Sequence, residues 1–439
     1  MCGISGLISK NKNIYNYLFK SLLSIQHRGQ DGSGTVVSNG SEIFNNKKIG
    51  LIDNNFNYNP GKIGLGHNRY RTVGECNLDS LQPCSRENIF LSHNGTINNI
   101  DTGVSDSQYL LDYFVEKYKK ENQDIFQIIK DIFNKFQGGY SVIIMIPNTG
   151  LVYFRDPKGI RPLSLGCLGE TYIIVSESCS INDIDFNFLR DINPGEAGII
   201  DLDLNFCTKQ LVKPNLNPCI FEYIYLARAD SIMNKVSVVK SRMNMAIKFA
   251  EKIKKYNFYN EIDGVMAIPD TSNIFAVEIA KILEKPYIIG LIRNRYIGRT
   301  FIMPNDKSRD KIIKRKFSAI KESISGKNIL VIDDSIVRGN TSKHIVKLLK
   351  KNGSGKIFMG SCAPPVKFEN KFGIHIPTKT ELISNEKTVE ETREYLECEE
   401  LIYQDLKDLI ESVKKENPSI NGFEKSIFDN SILSDKNIP

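Results

Sequence analysis

Residues 328–342 read Asn-Ile-Leu-Val-Ile-Asp-Asp-Ser-Ile-Val-Arg-Gly-Asn-Thr-Ser. Four consecutive apolar residues with no polar alternation describe a strand buried on both faces, as in parallel sheets covered by helices on each side. The strand delivers two adjacent carboxylates, Asp333 and Asp334, to its C-terminal end, and a Ser/Gly/Thr loop opens into helical periodicity at Ser342. Ligands of open α/β sheets bind beyond such strand ends. The loop's N–H groups and the helix N-terminus form an anion site suited to a phosphate. The two carboxylates can hold ribose hydroxyls directly or through Mg2+, a hard cation that takes few carboxylates and shares the substrate's oxygens. A lone Asp-Asp pair would be an ordinary strand-end turn; joined to this strand and loop it becomes a binding motif.

The surrounding sequence keeps the same rhythm. Helices are expected over 240–256, 273–283 and 342–351, and strands over 264–268, 287–291, 328–332 and 356–361. Alternating βα units of this kind predict an α/β domain with a mostly parallel sheet.

The N-terminal half differs. Short strands are expected over 3–8, 34–38, 62–66, 89–92, 141–146, 151–154 and 172–175, with helices over 14–25, 106–118 and 125–136. Sheets with helices packed outside them make this half α+β. The turn-rich stretch Lys213-Pro-Asn-Leu-Asn-Pro218 marks the boundary, giving domains 2–217 and 218–439. At 439 residues the chain is too long for one ordinary core.

The chain opens Met1-Cys2-Gly3-Ile4-Ser5-Gly6. With Met1 removed, Cys2 carries a thiol beside an α-amine whose reference pKa is near ~8, so nucleophile and base come in one residue. Four polar segments supply what such a nucleophile needs: 27–32, 64–74, 91–97 and 105–107. They hold three of the five histidines. Arg69 offers a planar fork for a ligand carboxylate, and Asp106 can accept from an α-ammonium group. Asn94 and the Gly95 N–H can form an oxyanion hole. Taken one by one, Arg69 would be a surface ion pair, Asn94-Gly95 a type I′ turn and Asp106 a helix cap. Their joint occurrence behind Cys2 favours a site that splits an amide.

Cys2-Gly-Ile, His27-Arg-Gly, Gly66-His-x-Arg-Tyr, His93-Asn-Gly and Ser105-Asp-Ser, in this order, resemble the class II glutamine amidotransferases, N-terminal-nucleophile hydrolases with a four-layer αββα domain. The resemblance implies that Cys2 attacks glutamine, that Asn94 and Gly95 stabilise the oxyanion, and that Arg69, Asp106 and Arg28 bind glutamine. It leaves the histidines structural, because the terminal amine supplies the base.

The 328–342 segment resembles the type I phosphoribosyltransferase motif. That resemblance implies that Asp333 and Asp334 contact ribose and metal, while Ser335, Arg338, Gly339, Thr341 and Ser342 cradle the 5-phosphate. Pro269-Asp-Thr271-Ser272 is then a second ligand loop adding oxygen ligands to one Mg2+ per subunit. The basic run 293–316 is a flap that brings Arg299 over the pyrophosphate and excludes water. The two halves in this order imply one reaction, the first committed step of purine synthesis. Glutamine, phosphoribosyl pyrophosphate and water give 5-phosphoribosylamine, glutamate and pyrophosphate, with ammonia passed inside the protein.

Some relatives carry a propeptide and an iron–sulfur cluster on four cysteines with a late C-x-x-C. Here Cys2 already stands second and nine scattered cysteines form no C-x-x-C, so no cluster, zinc site or disulfide framework is expected. Asn340, Ala229 and Arg71 depart from the usual Thr, Pro and small residue of the family. The resemblance further implies a homotetramer with small-molecule substrates. A net charge of +7 is too modest to argue for nucleic acid. Apolar stretches such as 140–146 fall far short of the ~20 residues that span a bilayer. With no signal-peptide pattern, a reducing cytoplasm is expected.

Overall fold

The computed structural model describes residues 1–431 except 55, 71–76, 101, 102, 104, 121–123, 295–315, 375 and 377. The first half is built on two antiparallel sheets. One runs Asn187–Asp191, Ser164–Cys167, Thr171–Val175, Gly3–Ser9, Ile63–Arg69, Gly32–Ser38, Ile43–Ile49; the other runs Phe206–Gln210, Glu196–Asp201, Gly150–Arg155, Gly138–Ile146, Ile89–Ile97, Cys84–Arg86. Their facing sides share a core that includes Ile4, Leu65, Ile143, Tyr153 and Ile174. The sheets approach closely because glycines stand where side chains would collide: a Cβ on Gly6 would lie 2.9 Å from Ile143.

Helix Tyr15–Ser24 covers the first sheet through Leu18 and Leu22, which pack with Leu7 and Val37. Helices Asp106–Lys119 and Ile125–Lys135 cover the second through Leu110, Phe114, Ile129 and Ile132. The layers are therefore αββα. Ser105 caps the second helix by accepting from the Gln108 N–H at 3.2 Å, with Asp106 in its first turn and Lys117 and Lys119 in its last.

The strand expected over 89–92 runs on to Ile97, so Asn94 and Gly95 lie in a ladder opposite Ser141 and Tyr140 rather than in a turn. Gly95 makes this possible. Its φ is +145°, and an added Cβ would sit 2.0 Å from the Gly139 carbonyl oxygen.

The second half holds a four-stranded parallel sheet in the order Gly264–Ala267, Ile329–Asp333, Ile357–Ser361, Glu400–Tyr403. The strand expected over 287–291 is reduced to a single bridge between Tyr287 and Val265. Pro286 has no N–H to donate, and the Gly290 carbonyl is taken by the Ile320 N–H at 2.9 Å. That bond draws the chain into a separate antiparallel pair, Leu291–Arg293 with Phe317–Ala319. The helix expected from 342 begins two residues earlier and spans Asn340–Lys351.

Residues 217–220 are stitched to both halves. The Asn217 and Cys219 N–H groups donate to Lys158 and Ile160 carbonyls, and the Ile220 N–H donates to Glu424.

Candidate active site

Strand Gly3–Ser9 is central in its sheet, which fixes Cys2 at the strand's N-terminal end and directs the chain toward the second sheet. The Cys2 amide nitrogen donates to Asn94 Oδ1 at 3.1 Å, bridging the two sheets. Cys2 Sγ lies 3.9 Å from the Tyr70 carbonyl oxygen. Asn94 is buried, and its Nδ2 has no partner among the described residues. A buried amide donor left open beside a thiol is what an incoming oxyanion requires. The nitrogen facing Asn94 is a peptide amide while Met1 is attached; on removal of Met1 the same atom becomes an α-amine.

Met1 is itself buried, with its sulfur against Arg161 and Arg28. Burial lowers its ammonium to about 5, assisted by the two guanidinium charges.

Arg69 ends its strand with Nη1 on the Ser80 carbonyl. Asp106 accepts from the Ile97 N–H at 3.2 Å and the Ser107 N–H at 2.8 Å, which ties the helix start to the strand carrying Asn94. Burial pushes the nearby Cys84 thiol up to about 11. His93 Nδ1 lies 3.0 Å from Ser107 Oγ, and burial holds His67 well below the usual histidine range, with Arg69 adding to it. Both ring nitrogens of His67 and Nε2 of His93 are buried without a hydrogen-bond partner among the described residues.

Arg28 departs from the expectation of a glutamine ligand. Its Nε donates to the Cys2 carbonyl at 3.1 Å, Nη1 pairs with Glu177, and Nη2 meets Glu222 at 2.9 Å. Each nitrogen is already bonded, so the guanidinium supports the backbone at Cys2 and offers no open fork. His27 joins Glu177 at 2.8 Å. Burial alone would raise the Glu177 carboxyl, yet His27 and Arg28 together pull it well below the carboxylate range. The sequence assigns no role to Glu177, Glu222 or Arg161, whose partnership with Arg28 spans up to 194 residues.

In the second half Asp333 ends its strand between two parallel neighbours. Its carboxylate accepts from Ser272 Oγ at 3.4 Å and Ser342 Oγ at 3.5 Å, and Asp334 accepts from Ser335 Oγ at 2.9 Å. Burial, and then the charge of Asp334, holds Asp333 well above the usual carboxylate range. Two adjacent carboxylates at a strand end make a set of hard oxygen donors that fits a divalent cation. Among the described residues no group of three or more His, Cys, Asp or Glu could hold a metal, so a cation at this pair needs further oxygen ligands from hydroxyls, substrate or water.

Gly339, with φ +77°, turns the loop into helix Asn340–Lys351, where Thr341 and Ser342 occupy the first turn. Arg338, expected on the phosphate, pairs through Nη2 with Glu381 at 2.8 Å. Thr271 lies in the turn before helix Asn273–Ile282, next to Ser272. Asn340 keeps the loop in place by accepting from the Tyr395 hydroxyl at 2.9 Å. Arg299 and Arg71 lie outside the described residues. Arg242, which the sequence did not single out, donates to the Tyr223 and Ala227 carbonyls at 2.9 and 2.8 Å; burial pushes it down to about 10 against the opposing charge of Asp334.

Comparisons with known proteins agree with both halves. Residues 236–361 match the phosphoribosyl transferase domain family. The amidophosphoribosyltransferase of Escherichia coli (strain K12) is 40% identical, over 98% of this chain and 92% of the relative. That of Saccharomyces cerevisiae is 36% identical, over 98% and 91%. Among solved structures, the glutamine phosphoribosylpyrophosphate amidotransferase of B. subtilis, complexed with ADP and GMP, superposes with a TM-score of 0.87 at 30% identity, over 100% of this chain and 99% of that one. An N-terminal-nucleophile fold around Cys2, a phosphoribosyltransferase sheet ending in Asp333–Asp334 and near-complete coverage by these relatives lead to one conclusion: the chain belongs to the amidophosphoribosyltransferase family.

Proposed function

We propose that residues 2–217 release ammonia from glutamine and residues 218–439 transfer it to phosphoribosyl pyrophosphate, the first committed step of purine synthesis. With Met1 removed, the Cys2 thiolate attacks the glutamine carboxamide carbon and the adjacent amine takes the thiol proton. Asn94 Nδ2 and the Gly95 N–H stabilise the tetrahedral oxyanion. The C–N bond then breaks, and ammonia leaves with the proton held by the amine. Water hydrolyses the thioester to glutamate and restores the thiol. Arg69 binds the substrate carboxylate and Asp106 its ammonium group, while Arg28 fixes the backbone beneath them.

Ammonia attacks the anomeric carbon of phosphoribosyl pyrophosphate and displaces pyrophosphate. Asp333 and Asp334 orient the ribose hydroxyls, and Ser335, Gly339, Thr341 and Ser342 hold the 5-phosphate by hydroxyl and backbone N–H groups. The donor set fits one Mg2+ per subunit, which when bound neutralises charge on the pyrophosphate; Asp333, Asp334 and the hydroxyls of Thr271 and Ser272 would hold it. Arg299 closes over the leaving group. An internal route for ammonia is chemically sensible because free ammonia in neutral water is mostly ammonium, which is not nucleophilic. The protein works in the cytoplasm as a homotetramer.

The observation that carries the glutaminase half is the Cys2 nitrogen 3.1 Å from Asn94 Oδ1, with the other end of that amide open. A coupled assay of glutamate and pyrophosphate release, with each substrate omitted in turn, tests the reading. Both products are expected together only when both substrates are present; pyrophosphate release from phosphoribosyl pyrophosphate with neither glutamine nor ammonia added would contradict it.

A further inference from the structure

Asn340 sits in the phosphate loop at a position where the family usually has Thr, and the exchange poses a chemical problem. A threonine hydroxyl rotates to donate to a phosphate oxygen. An asparagine amide has a donor end and an acceptor end, and the acceptor turned toward a phosphate repels it. Asn340 opens helix Asn340–Lys351 directly after Gly339, so the way its amide faces decides what the anion site presents.

Tyr395 settles that orientation. It stands near the end of helix Val389–Leu396, whose start is fixed by Thr388 and Glu391, each side chain accepting from the other's backbone N–H. The Tyr395 hydroxyl donates to Asn340 Oδ1 at 2.9 Å, and Asn340 Nδ2 has no partner among the described residues. The Lys343 ammonium lies over the Tyr395 ring, 3.9 Å from its centroid, where the ring face attracts it and it makes the hydroxyl a better donor. Lys343 and Lys347 also reach Glu397, which ends the helix at φ +62°. The ring covers the loop itself: a Cβ on Gly339 would lie 3.3 Å from Tyr395 Cε1 and 2.7 Å from Ile383 Cδ1. The Ile383 N–H donates to the Val337 carbonyl at 3.0 Å, and Glu381 pairs with Arg338. Residues 381–397 therefore brace the loop from behind, and Tyr395 is the part of the brace that meets Asn340.

Resting on the reading of this loop as the 5-phosphate cradle, we infer that Tyr395 is a positioning residue for the substrate: it occupies the acceptor end of Asn340, so that the amide meets the 5-phosphate only as a donor, through Nδ2. Tyr395 itself touches no substrate. Without its hydroxyl the amide is free to turn, and part of the population presents the carbonyl oxygen to the phosphate. The loss falls on binding of the phosphate end and leaves the chemistry at the anomeric carbon alone.

The test uses the full-length protein with Tyr395→Phe, which keeps the ring on Gly339 and removes only the hydroxyl, alone and combined with Asn340→Thr. In ammonia-dependent synthesis Tyr395→Phe should raise KM for phosphoribosyl pyrophosphate about fivefold at unchanged kcat. Inhibition by ribose 5-phosphate should weaken by the same factor, while inhibition by pyrophosphate stays at its wild-type strength. In the Asn340→Thr background the same substitution should change KM by less than about twofold, because a hydroxyl rotates its proton to the phosphate unaided. A wild-type KM in Tyr395→Phe would overturn the inference. So would an equal rise in both backgrounds, or equal weakening of both inhibitors, either of which marks a merely structural role. Should Tyr395→Phe fail to fold, Asn340→Asp keeps the acceptor for Tyr395 and loses the donor; it should raise KM about tenfold, and an unchanged KM would overturn the inference. A wild-type protein unable to make phosphoribosylamine from ammonia would overturn the reading of the loop and this inference with it.

Discussion

The Cys2 site and the Asp333 site solve opposite electrostatic problems. Around Cys2 the buried charges already have partners: Arg28 pairs with Glu177 and Glu222, and Arg161 with Glu222. What stays open there is a neutral donor, Asn94 Nδ2. At the other site two carboxylates stand side by side at a strand end, Asp333 accepting from Ser272, Ser342 and the Asp334 N–H, and Asp333 is held above its usual range. The first arrangement suits a reaction whose charge appears only in the transition state. The second suits a substrate and cation that bring the missing charge with them. One site is preorganised, and the other is completed by its ligand.

That contrast can be broken by substitution. Cys2→Ala should remove glutamine-dependent synthesis by about 10⁴-fold or more while ammonia-dependent synthesis persists, measured by phosphoribosylamine trapping. Equal loss from both nitrogen sources would collapse the two sites into one.

Glu177→Gln should destabilise the fold by about 1–3 kcal/mol at neutral pH, read from denaturant melts, because it removes one of the two carboxylates that pair with buried Arg28. The sign follows from the depressed carboxyl. The native state favours the ionised form, so the contribution is present above the unfolded pKa of about 4.3 and is lost as pH falls below it. Wild type and variant should therefore converge in acid.

Asn94→Ala should lower glutaminase kcat by about 10²–10³-fold with little change in KM, the mark of a donor used in the transition state. Asp333→Asn is expected to lower ammonia-dependent synthesis by about 10–100-fold and leave unstimulated glutaminase intact. The smallest effect is on pH. Since Asp333 must lose a raised proton before a cation binds, Mg2+ affinity measured calorimetrically should tighten as pH rises above the ordinary carboxylate range, with proton release that vanishes in Asp333→Asn.

The same contrast explains what could be read from the chain. The Asp333 site is local: one apolar strand, its final carboxylates and the next loop lie within fifteen consecutive residues, and the strand appears almost where expected. The helix start was misjudged because Gly339, at φ +77°, ends the loop before Ser342. At the Cys2 site the individual motifs were visible, but the frame around them was not. Arg28 looked like a ligand for glutamine because sequence gives no hint of Glu177 and Glu222, 149 and 194 residues away. Nor does the sequence show the ion pair of Arg338 with Glu381. Edge strands such as Ile43–Ile49 and Phe206–Gln210 carry Asn, Lys and Thr with little apolar alternation, so hydrophobic periodicity could not announce them.

The central claim is that these unlike sites run as one enzyme, with nitrogen released at Cys2 consumed at Asp333–Asp334. Amide-¹⁵N glutamine supplied with an excess of unlabelled ammonium, followed by mass spectrometry of the trapped phosphoribosylamine, measures that hand-over directly. Product enriched in ¹⁵N well beyond the bulk ratio is the expected result. Product labelled only to the bulk ratio would mean that ammonia leaves the protein between the two sites, contrary to this account.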